Sequence, residues 1–548
     1  MQRRKARLAV LLALSAALIT LAPIDTARAQ RVGGGAPGGG VSGGGAPGTA
    51  FTAAPCVLPL PPGLAVGKNV VCGYVAAPVE HARPFGPALR IPVTVIKHQG
   101  AGPAGDPVIF FTGGPGQTTE SVLAPVFTLF GPIVLPHHDL ILFDQRGTGV
   151  VQPALDCPEA VAQVRLSGPK PQSRAQDQQQ QAAALGLCAN RFLRQGVDLP
   201  AYNTYENAAD VNSIRVALGY AHLILFGTSY GSLLAQEVAR DYPQGVSAVY
   251  LDSVAPTAFD VFTLFVPSVD RSLRLVFTGC AVDPACNRAY PHLRATFSRV
   301  IARLNATPLI LRADVPATGR RDTVAVTGDR LLGLLFQLLY NAQATRIIPA
   351  LLASIDQGNT ALLSRLEAAS VATPESGDSS AMYLSVVCGD GLTHTQARID
   401  ALSRDALPEW TRYFGATVRY GKGITGECLR WPTAGATPLV RQPVRSAIPT
   451  LVFEGYHDPV TPPPYGQAVA RNLTNGYYYE FPNSGHSTLG QTGQCGVRIL
   501  SAFLADPTRR PAAPCIAALT DITYLTPRDL ARGTLAATVH AVASIALY

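Results

Sequence analysis

Short apolar segments, each followed by a polar or glycine-rich segment, run through most of the chain and predict the strands of a sheet. Eight segments have the length and composition of strands. They are 70–79, 89–97, 107–111, 140–143, 222–226, 248–251, 449–453 and 477–481. Most of the later segments are apolar throughout, as parallel strands are when helices cover both faces of a sheet. Val211, Ile214 and Leu218 share one face of a predicted helix before the fifth strand, which indicates an α/β fold.

A long region without such strands separates the sixth segment from the seventh. Within it, residues 272–277, 330–339 and 347–366 have mostly helical character. We therefore predict an eight-stranded, mostly parallel sheet, with a large and mainly helical cap, residues 257–445, inserted after the sixth strand. The sheet domain would consist of two chain segments, 55–256 and 446–515.

The amino terminus, residues 1–29, has the layout of a secretory signal peptide. A basic start that includes Arg3 precedes an apolar stretch, 8–22, which is shorter than the ~20 residues of a membrane span. Small residues at Ala27 and Ala29 then fit a cleavage site. We expect export, to the periplasm or outside the cell, with no stable membrane anchor after cleavage.

Two further segments fall outside the predicted sheet and cap. Residues 30–54 begin with a run of Gly, Ala, Pro and Ser that cannot bury a core, so we predict a flexible leader. Residues 516–548 form a carboxyl-terminal tail. The end of the tail, 530–548, is compatible with an amphipathic helix docked on the core.

Composition limits the classes of function. The chain is 47% hydrophobic and 15% charged, so it has the material for a large core. Its formal net charge of +8 comes partly from the basic start, and no later cluster of Lys and Arg resembles a nucleic-acid patch. We therefore expect no nucleic-acid partner, and the sequence leaves the oligomeric state open.

The ten cysteines fit an exported protein with disulfide bonds. They fall into five neighbouring pairs along the chain, and we predict that neighbours bond. The predicted pairs are Cys56–Cys72, Cys157–Cys188, Cys280–Cys286, Cys388–Cys428 and Cys495–Cys515. A structural metal is the competing interpretation, but no Cys-x-x-Cys pair is present and the histidines lack ligand spacing. We therefore predict no metal.

The pentapeptide 227–231, Gly-Thr-Ser-Tyr-Gly, is the strongest chemical signal in the chain. It follows the fifth predicted strand and precedes a predicted helix, 232–242. A sharp strand-to-helix turn with small flanking residues exposes a serine Oγ above the sheet. Residues 40–44 also fit the pattern, around Ser42, but no strand or helix flanks them. We therefore predict that Ser229 is the nucleophile.

A nucleophilic serine needs a general base, and the base needs a carboxylate that fixes its tautomer. In this type of sheet the chain order is serine, acid, histidine, and the groups gather where strands end. Asp458 follows the seventh strand and His486 follows the eighth, so we predict a triad of Ser229, Asp458 and His486. Asp252, which also follows a strand, is an alternative acid. His457 is an alternative base, although it would point away if Asp458 points inward.

Two convergent backbone N–H groups should stabilise the oxyanion that forms on the attacked carbonyl. We predict that one belongs to Tyr230, directly after the nucleophile. The other should come from the loop after the third strand, where glycines let a substrate approach the backbone. Gly114 is the preferred donor in that loop, and Gly113 is the alternative.

Several of these positions resemble a known family. The motifs are Phe-Thr-Gly-Gly-Pro-Gly at 111–116, Asp-Gln-Arg-Gly-Thr-Gly at 144–149, Gly-Thr-Ser-Tyr-Gly at 227–231, Asp-Pro-Val-Thr-Pro at 458–462 and Gly-His-Ser at 485–487. Over about residues 70–505, the chain resembles the proline iminopeptidase and tripeptidyl aminopeptidase family of α/β-hydrolases. Cys388 with Asp390, and Cys428 with Trp431, resemble its secreted tripeptidyl aminopeptidase branch.

The resemblance implies an α/β-hydrolase fold, the triad and oxyanion loop named above, and no metal or organic cofactor. It assigns Asp144 and Arg146 mainly structural roles, bracing the loops around the site. Thr112 departs from the family, because proline iminopeptidases usually carry histidine before the glycines. That departure concerns the substrate rather than the fold.

The resemblance also implies cleavage of short peptides from a free amino terminus, which requires a negative group for the substrate α-ammonium. Asp390, beside the predicted cap disulfide, and Glu206 are the candidates. We therefore expect an exported serine aminopeptidase of tripeptidyl or prolyl type. An exported carboxylesterase or lipase-like hydrolase with the same triad is one alternative. A hydrolase scaffold that only binds is the other.

Overall fold

The computed structural model describes residues 50–531, apart from 59, 260–263, 316–319, 373–377, 391–399, 420–427, 429–430 and 434–440. The predicted signal peptide, nearly all of the predicted leader, Ser42 and most of the predicted tail helix lie outside these residues. Within them, none of the helices combines the length and apolar character that a bilayer crossing requires.

One large sheet organises the described chain. The strands are β1 (Phe51–Ala53), β2 (Val70–Pro78), β3 (Ala88–Ile96), β4 (Gly105–Phe111), β5 (His138–Phe143), β6 (Leu223–Thr228), β7 (Val246–Asp252), β8 (Leu309–Val315), β9 (Arg320–Val326), β10 (Thr450–Gly455) and β11 (Gly476–Phe481). All eight predicted strands lie in one sheet together with β1, in the order β1-β2-β3-β5-β4-β6-β7-β10-β11, and β8 and β9 form a separate pair. The six strands from β5 to β11 in that order pair in parallel, and β1, β2 and β3 pair antiparallel at one edge.

Strand β1 corrects the prediction of eight strands and of a flexible leader up to residue 54. It pairs with β2, with Phe51 opposite Val75 and Ala53 opposite Gly73. The Cys56–Cys72 disulfide ties the chain that follows β1 to β2. Three residues are too few to show an alternating pattern, and therefore this edge strand could not be predicted from the sequence.

The central strands are covered on both faces. In β4, Ile109 and Phe111 belong to one hydrophobic core, whereas Val108 and Phe110 belong to another on the opposite face. Such alternation is a property of strand geometry, because successive side chains point to opposite sides of a sheet. Since both sets are buried, the strands have the continuous apolar composition from which they were predicted.

Helices form the layers over the sheet. Those before the insertion are α1 (Thr119–Val134), α2 (Pro158–Ser167), α3 (Arg174–Arg194), α4 (Thr204–Ala217) and α5 (Tyr230–Asp241). α4 and α5 bury their apolar side chains on one face of the sheet, and α1 does so on the other. The predicted helices before and after the nucleophile are thus confirmed as α4 and α5.

The insertion between β7 and β10 contains nine described helices and the antiparallel β8–β9 pair. The helices are α6 (Phe265–Val282), α7 (Pro284–Ala289), α8 (Leu293–Ala306), α9 (Gly328–Leu339), α10 (Ala342–Thr345), α11 (Ile348–Asp356), α12 (Ala361–Ala372), α13 (Ser380–Gly389) and α14 (Pro408–Arg419). The apolar side chains of eight of these helices pack into a hydrophobic core of their own, whereas those of α13 join the core that α4 and α5 form on the sheet. The sequence pattern did not indicate β8 and β9.

The helical segment predicted at 347–366 is two helices, because the chain turns at Gly358. This residue has φ +79°, which an L side chain rarely adopts. Its N–H donates to the Ile355 carbonyl, and the Asn359 N–H donates to the Ser354 carbonyl. A glycine in the left-handed region just past the last helical turn is a common way for a helix to end.

The chain returns to the sheet and then crosses to the insertion again. The remaining helices are α15 (Pro463–Ala470), α16 (Gln494–Ala505) and α17 (Pro527–Ala531), and short 3₁₀ turns lie at Leu199–Ala201, Pro243–Gly245, Thr488–Gln491 and Pro514–Ala518. Beyond Cys515, the Leu525 N–H donates to the Arg346 carbonyl, and the Tyr290 hydroxyl donates to the Leu525 carbonyl. The first part of the predicted tail therefore docks on the insertion as extended chain.

The five predicted disulfides are confirmed. Cys56–Cys72, Cys157–Cys188, Cys280–Cys286, Cys388–Cys428 and Cys495–Cys515 are bonded, and all ten cysteines are used. Each bond closes a local loop. By the loop-entropy argument such bonds stabilise the protein mainly by restricting the unfolded chain.

Candidate active site

Ser229 lies at the tight turn between β6 and α5. Its backbone has φ 58° and ψ −125°, a strained conformation for a residue other than glycine. A Cβ on Gly227 would lie 2.2 Å from the Gly231 carbonyl oxygen, and a Cβ on Gly231 would lie 2.2 Å from the Phe111 carbonyl oxygen. Only glycine fits at these two positions. The turn therefore depends on the small residues from which it was predicted.

Asp458 and His486 are in direct contact, although 28 positions separate them in the chain. The His486 Nδ1 and Asp458 Oδ2 atoms are 2.7 Å apart, and both residues are buried. The backbone N–H groups of Val460 and Thr461 both donate to Asp458 Oδ1, at 2.8 Å, and the Thr461 hydroxyl donates to Oδ2. The carboxylate is thereby fixed, and it can hold the imidazole with its Nε2 free for chemistry.

The insertion helps to hold the histidine. The His486 N–H donates to the Tyr340 carbonyl at 2.8 Å, and the two rings pack edge to face with centroids 5.1 Å apart. The Gln491 side chain donates to the His486 carbonyl at 2.6 Å. Tyr340 follows α9, so the histidine loop is fixed partly by the insertion and partly by its own turn.

Asp252 does not take the place of the acid. Its Oδ1 accepts from the Thr488 N–H at 2.7 Å, and its Oδ2 accepts from the Leu489 N–H at 2.9 Å and from the Tyr250 hydroxyl. Asp252 thus anchors the turn that follows His486.

His457 is turned toward the tail. Its Nε2 lies 2.5 Å from Asp521 Oδ1, and its carbonyl accepts from the Ser272 hydroxyl. It therefore contacts neither Ser229 nor Asp458 through its ring, which is the arrangement expected if Asp458 points inward.

A cavity of about 300 Å³ opens at Ser229 and His486 and extends toward Asp390 and Arg441. Aromatic and apolar side chains form much of its wall, namely Leu233, Phe259, Phe265, Phe336, Tyr340 and Tyr383. A smaller cavity of about 40 Å³, next to α1, also borders Ser229 and His486. The serine and the histidine therefore share both cavities, and the larger one is mostly apolar.

The two predicted oxyanion segments meet at the serine. Tyr230 begins α5, and Gly114, with φ +101°, borders both cavities. A Cβ on Gly113 would lie 3.1 Å from Ser229 Cβ, so the loop passes close to the nucleophile. The Gly113 N–H already donates to Gln117 Oε1 at 3.2 Å, which favours Gly114 as the donor to a substrate.

Asp390 also lines the larger cavity, at the point where α13 ends. Its carboxylate accepts from the Thr204 hydroxyl and from the Thr204 N–H. Burial raises the pKa of Asp390 to about 6, against the opposing effects of Thr204 and of the Arg441 charge. Arg441 itself donates to the Asp390 carbonyl. The carboxylate therefore changes charge near pH 6 and faces the cavity from a buried position.

The structure places Glu206 elsewhere. Its carboxylate accepts from the His81 N–H at 3.0 Å, and Oε2 lies 2.6 Å from His81 Nδ1. These contacts lower the pKa of Glu206 despite its burial. Glu206 borders neither of the two cavities at Ser229, so of the two candidates for the substrate amino terminus only Asp390 lies at the site.

Asp144 and Arg146 brace the loops behind the site. Asp144 accepts from the N–H groups of Thr119 and Val150. Arg146 is fully buried, makes a bidentate contact with Asp210, and donates to the carbonyls of Val79 and Ala201.

Sequence reasoning missed the residues that support the site from a distance. Tyr340, Thr461, Gln145 and Asn207 all contact a predicted site residue or its loop. Thr461 could have been recognised, because a Thr three residues after an Asp often donates to it in a turn. Among the residues that the structure describes, no group of three or more His, Cys, Asp or Glu side chains could hold a metal.

Two family models match the chain. The model described as the alpha/beta hydrolase fold matches residues 106–308, and the one described as TAP-like protein matches residues 412–515. The first includes Ser229 and the second includes Asp458 and His486.

The relatives that match the chain have low sequence identity to it. The chain is 24% identical to serine protease Hip1 of Mycobacterium tuberculosis over 470 residues, covering 82% of this chain and 88% of the relative. It is 27% identical to tripeptidyl aminopeptidase of Streptomyces lividans over 417 residues, covering 72% and 74%. Among solved structures, proline iminopeptidase of Mycobacterium smegmatis matches at 15% identity with a TM-score of 0.36, covering 79% of this chain and 98% of that one.

Proposed function

We propose that this chain, an α/β-hydrolase whose carboxyl-terminal region matches the TAP-like family model, is an exported serine peptidase that removes short peptides from a free amino terminus. The observation that carries the proposal is the Asp458–His486 pair at the same cavity as Ser229, which stands on a strained turn. The likeness to a serine protease and to a tripeptidyl aminopeptidase supports the peptidase class.

In the proposed reaction, the Ser229 hydroxyl attacks the carbonyl carbon of the scissile bond. His486 Nε2 takes the hydroxyl proton, while Asp458 holds Nδ1–H and stabilises the imidazolium. The tetrahedral intermediate collapses when His486 gives that proton to the leaving amine, which departs. Water then attacks the carbonyl carbon of the acyl-enzyme while His486 takes a proton from it. The bond from that carbon to the Ser229 oxygen breaks as His486 returns the proton to the serine, and the peptide leaves with a new carboxylate.

The oxyanion of the intermediate is bound by the N–H groups of Tyr230 and Gly114, with Gly113 as the alternative to Gly114. Each such donor can lower the barrier by roughly 3 kcal/mol, because it is aimed in advance at the charge that develops. A Cβ on Gly113 would lie 3.1 Å from Ser229 Cβ, which is closer than most such contacts in proteins.

The substrate α-ammonium would pair with Asp390. The carboxylate and Ser229 border the same cavity, so a peptide that spans it would present a carbonyl to the serine and its amino terminus to the acid. The aromatic wall between them suits apolar side chains. This arrangement favours free peptides over N-acylated ones, and it limits the number of residues removed to what fits in the cavity.

Asp390→Asn is expected to raise KM for free-amine peptide anilides about tenfold, the scale of one charged hydrogen bond, and to leave simple p-nitrophenyl esters within twofold. N-acylated peptides of the same sequence should be insensitive to the substitution. The measurement is a set of steady-state constants for the three substrate classes with wild-type and variant enzyme. An equal loss on esters and free peptides would exclude Asp390 from amino-terminus binding.

The raised pKa of Asp390 also predicts how cleavage of free peptides depends on pH. Because the pKa of Asp390 is raised to about 6, its carboxylate is neutral below that pH and charged above it. The substrate α-ammonium loses its charge near pH 8. The ratio of kcat/KM for a free peptide to kcat/KM for an ester should therefore be highest between about pH 6 and 8. Taking the ratio removes every effect of pH that both substrates share, and a flat ratio in wild type would contradict the assignment.

An exported carboxylesterase is the second candidate, because the cavity wall is largely apolar. A panel of free peptide anilides, N-acylated anilides and p-nitrophenyl esters separates the two activities. Ser229→Ala controls for activity from contaminants. Preference for esters over every peptide would establish the esterase, and lack of Ser229 labelling by a fluorophosphonate probe would favour a scaffold that only binds.

Export is part of the proposal. The sequence of residues 1–29 supports it, and so do the five disulfides, which persist in oxidising compartments. Expression of the full chain with fractionation of medium, periplasm and cytoplasm tests it. The mature amino terminus should begin at Gln30, and recovery of the protein only from the cytoplasm with residues 1–29 attached would refute it.

A further inference from the structure

A chain of buried side chains connects the two segments that carry the proposed oxyanion donors. Gln145 Nε2 donates to the Thr112 carbonyl at 2.9 Å and to the Thr112 hydroxyl oxygen at 3.0 Å. Asn207 Nδ2 donates to Gln145 Oε1 at 2.8 Å and lies 3.5 Å from the Tyr230 hydroxyl. Thr112 directly precedes the glycine loop, and Tyr230 directly follows the nucleophile. Asn207, on α4, thus stands between them.

The chain of hydrogen bonds continues to Asp390 and has a defined direction. Because a carboxylate only accepts, the Thr204 hydroxyl donates to Asp390. The Tyr230 hydroxyl, 2.9 Å from Thr204 Oγ1, must then donate to it and accept from Asn207. At the other end, the Thr112 carbonyl also only accepts, so the Gln145 amide has one possible orientation. Both N–H bonds of the Asn207 side chain are used.

We propose that Asn207 is a positioning residue that fixes the two oxyanion donors relative to each other and ties them to Asp390. The inference rests on the proposed function, since it assumes a tetrahedral intermediate at Ser229. Binding of a substrate ammonium at Asp390 acts on Thr204, then on Tyr230 and its backbone. The donors are therefore held at the correct separation when the substrate is in place, and small displacements of such groups are costly to catalysis.

The amide at this position is only half satisfied by its surroundings. Asn207 is fully buried, and its Oδ1 has no hydrogen-bond partner among the described residues. A buried oxygen left unpaired costs free energy that an apolar side chain of the same size would avoid. The side-chain NH₂ group of Asn207 donates to Gln145 on one side and to Tyr230 on the other, and a leucine side chain could bind neither.

Asn207→Leu tests the proposal, because leucine keeps the size of the side chain and removes both donors. We expect kcat to fall about tenfold or more for esters and peptides alike, with KM for the ester within twofold. Binding of a peptidyl trifluoromethyl ketone, which forms an anionic adduct with the serine, should weaken by the same factor as kcat. Active sites are counted by complete fluorophosphonate labelling, so that loss of folded protein is not read as loss of kcat.

Asn212→Leu is the matched control, because Asn212 lies on the same helix and its amide oxygen accepts from Arg215. The kcat of this control should stay within twofold of wild type.

A second variant covers the case in which Asn207→Leu does not fold. Tyr230→Phe removes only the hydroxyl and keeps the ring and the backbone N–H, and it should reproduce the loss of kcat in part. The proposal is overturned if the folded variants keep kcat within twofold, if only KM changes, or if stability falls while kcat per labelled site does not. Ser229→Ala separates this failure from that of the proposed function: an active Ser229→Ala enzyme would refute the triad, whereas an inactive one with a normal Asn207→Leu refutes only the positioning role.

Discussion

Asp458→Asn should lower kcat by about four orders of magnitude for peptides and esters alike, with little change in KM. The expected size is that of the corresponding change in a serine protease triad, where the amide holds the wrong tautomer of the histidine. Here Asp458 accepts from His486 Nδ1 at 2.7 Å. An asparagine fixed by the N–H groups of Val460 and Thr461 would keep its oxygen on those donors and turn its NH₂ toward the histidine. Nε2 would then carry the proton and could not accept one from Ser229.

Asp252→Asn is the matched comparison for the acid. Asp252 is also buried and also lies near the histidine loop, but it accepts from the N–H groups of Thr488 and Leu489. We expect a lower midpoint of chemical unfolding, and a kcat per folded enzyme that falls far less than in Asp458→Asn. Circular dichroism gives the folded fraction of both variants. A larger loss of kcat in Asp252→Asn, or more than a tenth of wild-type kcat in Asp458→Asn, would reassign the acid.

The parts of this site that follow from sequence are those with local causes. The turn at Ser229 is specified by its own glycines, and a strand before it and a helix after it are visible in the hydrophobic pattern. The order of serine, acid and histidine follows from how a parallel sheet is wound. The neighbouring cysteines bond as predicted because each pair closes a short loop.

The parts that sequence could not supply depend on contacts between distant segments. Tyr340 holds His486 through a carbonyl and a ring, and neither is distinguishable in the sequence from an ordinary residue after a helix. Asp390 and Glu206 were both candidates for the substrate amino terminus, and the contact of Glu206 with His81 separates them. The short strand β1 has too few residues for a hydrophobic pattern, and its extended conformation depends on antiparallel pairing with β2.

The raised pKa of Asp390 is another property that depends on contacts between distant segments of the chain. The sequence places an aspartate beside a cysteine, but the raised pKa depends on burial, which opposes the effect of the Thr204 hydrogen bonds. In the proposed function, a carboxylate that loses its charge near pH 6 would make binding of the substrate amino terminus sensitive to pH. That sensitivity is a property of the folded protein, and no spacing of residues along the chain encodes it visibly.

Arg146→Met is expected to destabilise the protein by about 3–5 kcal/mol, the cost of leaving a buried carboxylate without its partner. Arg146 and Asp210 are both fully buried, and two hydrogen bonds of 2.8 and 2.7 Å join them. The guanidinium also donates to the carbonyls of Val79 and Ala201. Removing the cation therefore leaves Asp210 with only the His81 ring, whose Nε2 lies 3.5 Å from Oδ1, and it takes a donor from two carbonyls.

The measurement is the shift in the midpoint of guanidinium unfolding, compared with that of Arg83→Met. Arg83 pairs with Glu80 on the surface, where its side chain is 70% exposed, so its loss should cost less than about 1 kcal/mol. The double variant Arg146→Met/Asp210→Leu should recover about half of the lost stability, because it removes the unpaired charge. It should not recover all of it, since the two carbonyls still lack donors.

Catalysis separates a bracing role for Arg146 from a role in binding substrate. Arg146 borders neither of the two cavities at Ser229, so kcat and KM per folded enzyme should stay within about threefold in Arg146→Met at a temperature well below its unfolding. If KM for free peptides rose while the unfolding midpoint did not move, the arginine would belong to substrate recognition. A loss of stability equal to that of Arg83→Met would show that the interior has relaxed around the vacancy, and the ion pair would then have no special part in holding the loops behind the serine.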